Sequence, residues 1–318
     1  MISFKEDHIS QIPALLMLEK LGYTYLTPDE ALALRGGNLA NVLLEPVLRK
    51  QLAAINVVQV SSVRTTVFSE QNITAGIDAL RNIPMDEGFM EASQTVYDLL
   101  TSGKTLEQIV DGDRKSFVMQ YIDWKNPRNN VFHVTEEFAV SRTGMTETYR
   151  PDIVLFVNGI PLCVIECKRP DVKDSIEQAI SQHLRNQKAD GIRSLYLYST
   201  LLLAINRQEG SYATTATPEK FWARWREQFA DREAEARYRQ ERERVVNEPL
   251  LDDKLFGERF GYVRRNFEEL YRQPVTPSVQ DEYLCNLCRP ERLLQLMYGF
   301  TLYDDGIKKV ARYQQYFA

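Results

Sequence analysis

Apolar residues recur at spacings of three and four over residues 12–21, 39–55, 73–83 and 92–100, which predicts four amphipathic helices in the first third of the chain. From residue 130 to 205 the period shortens. Residues 131–140, 153–157, 161–167, 195–198 and 201–205 read as strands, with one amphipathic helix over 172–186 among them. That order predicts an α/β core, a mixed central sheet flanked by helices, behind N-terminal helices. Residues 226–247 alternate acid and base around Phe229, Val245 and Val246, the pattern of a solvated helix or a linker. Helical periodicity returns at 260–271 and 292–300, so a C-terminal helical extension follows the core.

Two apolar runs meet at Asn158-Gly159, a strong hairpin signal, inside the stretch from Arg150-Pro151-Asp152 to Glu166-Cys167-Lys168-Arg169-Pro170. Alternation along the second strand puts Glu166 and Lys168 on one face and Cys167 on the other. An ideal two-residue turn would set Asp152 opposite Ile165 and turn it away from Glu166. A three-residue loop, a bulge or a bend before Ile153 is therefore expected, to bring Asp152 round.

Three ionisable groups ending two apolar strands need a reason, because an unpaired buried charge costs on the order of several kcal/mol. One is an ordinary Asp–Lys or Glu–Lys surface ion pair. The other is a magnesium site: Asp152 and Glu166 hold a hard divalent cation against a scissile phosphate while Lys168 positions the attacking hydroxide. Pro151, the continuous apolar strand ending in an acid and the following helix together favour the second. That helix buries Ile176, Ala179, Ile180 and Leu184, and turns Gln178, Gln182 and Arg185 outward, either as a solvated face or toward phosphate and base edges. Lys168, Arg169, Lys173, Arg185, Lys188 and Arg193 form a basic region diluted by Asp171, Asp174 and Glu177.

Composition narrows the classes. With 318 residues, 44% of them hydrophobic, the chain can bury a core without staples, as one large domain or two ordinary ones. A net charge of -5 excludes coating nucleic acid by bulk electrostatics, so any DNA contact is focused. No apolar run approaches the roughly 20 residues of a membrane span, and Met1 to His8 lacks a secretory pattern, which makes the cytoplasm the expected compartment. Cys163, Cys167, Cys285 and Cys288 are expected as free thiols, since Cys285-Asn286-Leu287-Cys288 has no second ligand pair for zinc. Ser102-Gly103-Lys104-Thr105 imitates the end of a P-loop but follows a helix. Gly103 instead fits a helix C-cap, and Thr105 with Gln108 a capping box for another helix. Trp222 and Trp225 read as packing residues, His133 lies in a strand pattern, and His183, on the helix after the site, reads as a packing or surface residue or as one that touches DNA.

At these residues the chain resembles the PD-(D/E)xK nuclease superfamily, and within it the N-terminal nuclease region of the R (restriction and translocation) subunit of type I restriction-modification enzymes. The likeness extends to Tyr212 through Trp222, to Asp123 through Asn130 and to Leu43 through Leu48. It implies a PD-(D/E)xK core over residues 1–235, with 236–318 as a charged helical linker leading into a helicase-like motor. It also implies a Mg2+-dependent endonuclease, a type I site-specific deoxyribonuclease, with Asp152 and Glu166 as metal ligands, Lys168 as catalytic lysine and Glu45 as supplementary acid. Gln182 fits the first position of the family's QxxxY pattern, while Asn186 stands where tyrosine is expected. Gln178, Arg169 and Arg185 join them as DNA-binding candidates, and Gln314 or Gln315 fits a glutamine that contacts adenine in the motor. The implied partners are double-stranded DNA and the methylation (M) and specificity (S) subunits, with ATP and S-adenosylmethionine serving only the complete complex. Two other readings stay open: a noncatalytic docking module between motor and methyltransferase, and a stand-alone repair nuclease of the same superfamily.

Overall fold

The computed structural model describes residues 10–60, 64–249, 253–257 and 259–318, so His8 and the N-terminal stretch lie outside the described residues. Its centre is a six-stranded mixed sheet whose spatial order follows the chain: β1 (Thr24–Tyr25), β2 (Phe132–Glu136), β3 (Ile153–Val157), β4 (Ile160–Cys167), β5 (Leu201–Ile205) and β6 (Gly210–Ala213). β1 runs parallel to β2 and β4 parallel to β5, while the other neighbours are antiparallel. Every residue of β3, β4 and β5 is buried, which explains why they read as unbroken apolar runs: both sheet faces are covered.

Helix α1 (Ile12–Lys20) packs on β2 and on the helix Val279–Leu287, and helix α3 (Ser175–Asn186) packs on β4 and β5. Helix α2 (Glu45–Ile55) sits by the β3–β4 turn, where the Leu44 amide donates to the Gly159 carbonyl at 2.9 Å. One large buried cluster draws on residues from Ile12 to Met297, and Ile176, Ala179 and Ile180 of α3 form a second, smaller one with Ala204 of β5. Trp225 is buried against Tyr212 and Tyr316, and Trp222 packs beside His183. The four cysteines are free and buried.

Several expectations need correction. Residues 195–198 are no strand: the short helix α4 (Arg193–Tyr196) stands there, because β4 already has neighbours on both sides and the chain must turn into β5. An unbroken apolar run does not by itself distinguish strand from buried helix. Residues 39–44 are not helical, since Pro46 fits only the first turn of α2. Gly103 does cap the helix Phe89–Ser102, but Thr105 and Gln108 lie in the strand Lys104–Val110, which pairs with Asp113–Met119, and form no capping box. The expected strand over 131–140 stops at Glu136, where Glu137 takes a left-handed φ of 45°. Of the two alternatives for the charged segment the structure takes the solvated helix, over Arg232–Asn247, with only Val245 and Val246 buried near its end. The C-terminal part is not purely helical, because Thr301–Asp304 pairs with Ile307–Val310.

Candidate active site

The β3–β4 hairpin builds the site. Asn158 (φ 52°) and Gly159 (φ 84°) both take left-handed backbone, the two-residue turn that matches strand twist. Asn158 locks it, accepting from the Val131 amide at 2.9 Å and donating to the Tyr121 carbonyl at 3.0 Å. A Cβ at Gly159 would stand 2.6 Å from the Leu44 carbonyl, so glycine is required here for space as well as conformation.

From that turn the ladder begins with Val157 opposite Ile160 and Phe156 opposite Pro161. It then slips by one residue, so that Leu155 faces Cys163 and Ile153 faces Ile165. The bulge at Leu162 advances the register by one. The next pair along the ladder is Asp152 with Glu166, where an unbulged hairpin would have offered Ile165.

Asp152, Glu166 and Lys168 come together at the strand ends. Asp152 Oδ2 accepts from the Cys167 amide at 2.8 Å and from Lys168 Nζ at 3.3 Å, and Nζ also donates to the Cys167 carbonyl at 3.1 Å. The residues leading into α1 brace the backbone at the ends of both acidic strands. Ser10 Oγ donates to the Lys168 carbonyl at 2.7 Å, and Gln11 Nε2 to the Asp152 carbonyl at 3.0 Å. Neither contact had a signal in the sequence.

Glu166 is fully buried. Its Oε2 accepts from Gln182 Nε2 at 2.5 Å, while Oε1 is buried without a hydrogen-bond partner. Burial, and then the neighbouring Asp152 carboxylate, push the Glu166 carboxyl well above the usual carboxylate range, against the pull of Lys168. An orphaned carboxylate oxygen beside a second acid is what a hard cation satisfies. Magnesium binds through one or two carboxylates and keeps several waters, so this donor set fits it. Among the described residues, no group of three or more His, Cys, Asp or Glu side chains could hold a metal ion, leaving Asp152 and Glu166 as the two carboxylates here.

The other candidates scatter. Glu45 lies at the start of α2, at the turn end of the hairpin, where Oε1 accepts from Arg81 at 2.8 Å and Asn41 at 3.0 Å. The structure does not bring it to Glu166, because residues 160–165 of β4 run as extended chain between the turn and that acid. Gln178 donates to the Lys173 carbonyl, and Arg169 is forked onto Asp171. Arg185 is exposed and lies 4.5 Å above the Tyr149 ring, giving Nη2 to Asn186 Oδ1 at 3.2 Å. Gln314 and Gln315 are exposed on the last helix, Tyr313–Phe317, away from the carboxylate pair.

The sequence carries no signal for Tyr196 and leaves His183 open as a packing, surface or DNA-contacting residue. Both are fully buried beside Gln182 and Asn186, with the Tyr196 hydroxyl 3.0 Å from His183 Nδ1 and His183 Nε2 2.9 Å from the Leu203 carbonyl. Burial lowers the imidazole pKa to about 4, so the ring is neutral.

Comparison with known proteins identifies the family of the chain. Residues 3–221 match the family described as type I restriction enzyme R protein N terminus. A putative type I restriction enzyme MjaIXP endonuclease subunit of Methanocaldococcus jannaschii is 24% identical over 98% of this chain and 27% of its own length. The type I restriction enzyme HindI endonuclease subunit of Haemophilus influenzae is 25% identical over 98% of this chain and 26% of its own. The chain thus spans about a quarter of these relatives.

Proposed function

Because the chain belongs to the type I restriction enzyme R protein N-terminus family, we propose that it is the DNA-cleaving module of such a subunit, with a PD-(D/E)xK core. The observation that carries this reading is Glu166: a fully buried acid, one oxygen orphaned, brought beside Asp152 and Lys168 by a bulge. Asp152 and Glu166 would hold Mg2+, which supplies Lewis-acid stabilisation of phosphoryl charge and a more acidic bound water.

The remaining work falls to the chain itself. Gln182 fixes one Glu166 oxygen, and the other is buried without a hydrogen-bond partner. Lys168 extends its ammonium over Asp152, where it can orient a hydroxide and offset charge on a phosphate. Arg185 supplies an exposed guanidinium for the DNA backbone.

In this reading the substrate is double-stranded DNA and the compartment the cytoplasm. M and S subunits choose the site, and ATP and S-adenosylmethionine serve the remainder of the assembly. Supercoiled plasmid incubated with the full-length subunit and its partners tests it. Asp152→Ala, Glu166→Ala and Lys168→Ala should each abolish cutting while the complex still assembles. Full cutting by all three would overturn the assignment.

A further inference from the structure

One dipeptide grips both strand ends that carry the site: Ser10 through the Lys168 carbonyl and Gln11 through the Asp152 carbonyl. Behind it stands a residue from the far part of the chain. Gln280, on the first turn of the helix Val279–Leu287, gives Nε2 to the Ser10 carbonyl at 2.8 Å. A carbonyl only accepts, so the orientation of that amide is settled. The hydrogen bonds thus form a chain from Gln280 to Ser10 and from Ser10 to Lys168, and both side chains in it are fully buried. The helix start is itself fixed. Ser278 and Asp281 close a capping box around it, and the Val279 amide donates at 3.1 Å to the Arg207 carbonyl, just beyond β5. The Ile205 carbonyl at the end of β5 accepts in turn from the Lys168 amide at 2.9 Å.

Stability alone does not account for Gln280. Its Oε1 is buried without a hydrogen-bond partner, and an unpaired buried acceptor costs at least as much as the one bond made by Nε2 returns. An apolar side chain of the same size would fill the space without that cost, so the donor at Ser10 is what distinguishes glutamine here. Its effect reaches the acids through the peptide that Ser10 holds. The Cys167 amide and Lys168 Nζ both bond Asp152 Oδ2, and a Lys168 carbonyl free to turn would carry these donors away from the carboxylate. We propose that Gln280 and Ser10 are positioning residues that set Asp152 and Lys168 for a divalent cation, so that the catalytic unit reaches past residue 235 to include the helix Val279–Leu287. This rests on the metal-site reading above and adds to it the part of the chain that holds the site in shape.

The test is calorimetric titration of the chain with MnCl2 in the absence of DNA, beside thermal melting in EDTA. Gln280→Met keeps the volume and removes the donor and the orphaned acceptor together. Its melting temperature should match or exceed that of wild type while Mn2+ affinity falls about tenfold, the scale on which partners that orient ligands act. A merely structural role would move the two together. Ser10→Ala, the smaller truncation, should weaken binding by a similar factor and decides the matter if Gln280→Met does not fold. Because both residues belong to one chain of bonds, Ser10→Ala with Gln280→Met should bind within about threefold of the weaker single variant, whereas independent damage would multiply to about a hundredfold. A folded Gln280→Met or Ser10→Ala with wild-type affinity, or a double variant at the multiplied loss, overturns this proposal alone. A wild-type chain that binds no Mn2+ overturns the metal reading, and the proposal with it.

Discussion

Replacing Glu166 by glutamine isolates the electrostatic strain of the site. The wild-type carboxyl is fully buried and titrates well above its ordinary 4.5, for reasons of burial first and of Asp152 second. Above pH 4.5 the unfolded chain has released this proton and the folded chain still holds it. Stability therefore falls as pH rises, by about 1.4 kcal/mol per unit, until the folded value is passed. Glutamine does not titrate. The stability of Glu166→Gln minus that of wild type should grow by about 1.4 kcal/mol between pH 5 and pH 6, in urea unfolding with EDTA present. Every other titrating group outside the carboxylate pair is common to both proteins and cancels. Saturating Mn2+ should reverse the order: at a hundred times its dissociation constant it adds about 2.7 kcal/mol to wild type and nothing to the variant. A difference that stays flat from pH 5 to pH 6, or equal stabilisation of both proteins by Mn2+, would refute the reasoning.

Other consequences can be checked separately. Glu45→Gln should leave Mn2+ affinity within twofold and cost less than about 1 kcal/mol, as expected for a solvent-screened pair with Arg81; loss of metal binding would contradict its placement. Gly159→Ala adds a Cβ against the Leu44 carbonyl at a left-handed φ and should destabilise by at least about 2 kcal/mol in thermal melts, whereas a wild-type melt would mean the turn relaxes freely. The His183 ring resonances should not titrate between pH 8 and pH 5. With a folded pKa of about 4 against an ordinary 6.5, this histidine contributes on the order of 3 kcal/mol above pH 6.5, lost as pH falls through 4. Arg259→Ala strips the counter-ion from the fully buried Glu136 and should cost about 2 kcal/mol after allowing for the partial exposure of Arg259, with recovery in the double variant carrying Glu136→Gln; an additive loss in unfolding experiments would argue against the pairing.

The hairpin was legible because Asn-Gly admits few other conformations, and the need for a bulge was legible because two acids on unlike faces could not share a cation. Where the extra residue would go was not, since Pro161 and Leu162 are both apolar and the pattern does not single out Leu162, where the register shifts. Glu45 drew attention only through the family resemblance, as its supplementary acid, and the distance from one end of a strand to the other is a tertiary fact that spacing cannot carry. Tyr196 was hidden for the reverse reason. Its apolar neighbours Leu195 and Leu197 made it look like one rung of a strand, while the fold uses it as the phenol of a buried chain. The strand pairs 57–59 with 65–67, 104–110 with 113–119 and 301–304 with 307–310 had no periodic signal either, because these strands are short or largely exposed and lack a one-sided apolar face.

Anomalous diffraction from crystals of this chain soaked in Mn2+ addresses the central claim most directly. The account predicts a peak within coordination distance of Glu166 Oε1 and the Asp152 carboxylate, and its loss in Asp152→Ala. Both carboxylates in the arrangement described here with no peak between them, or a peak that survives Asp152→Ala, would contradict it.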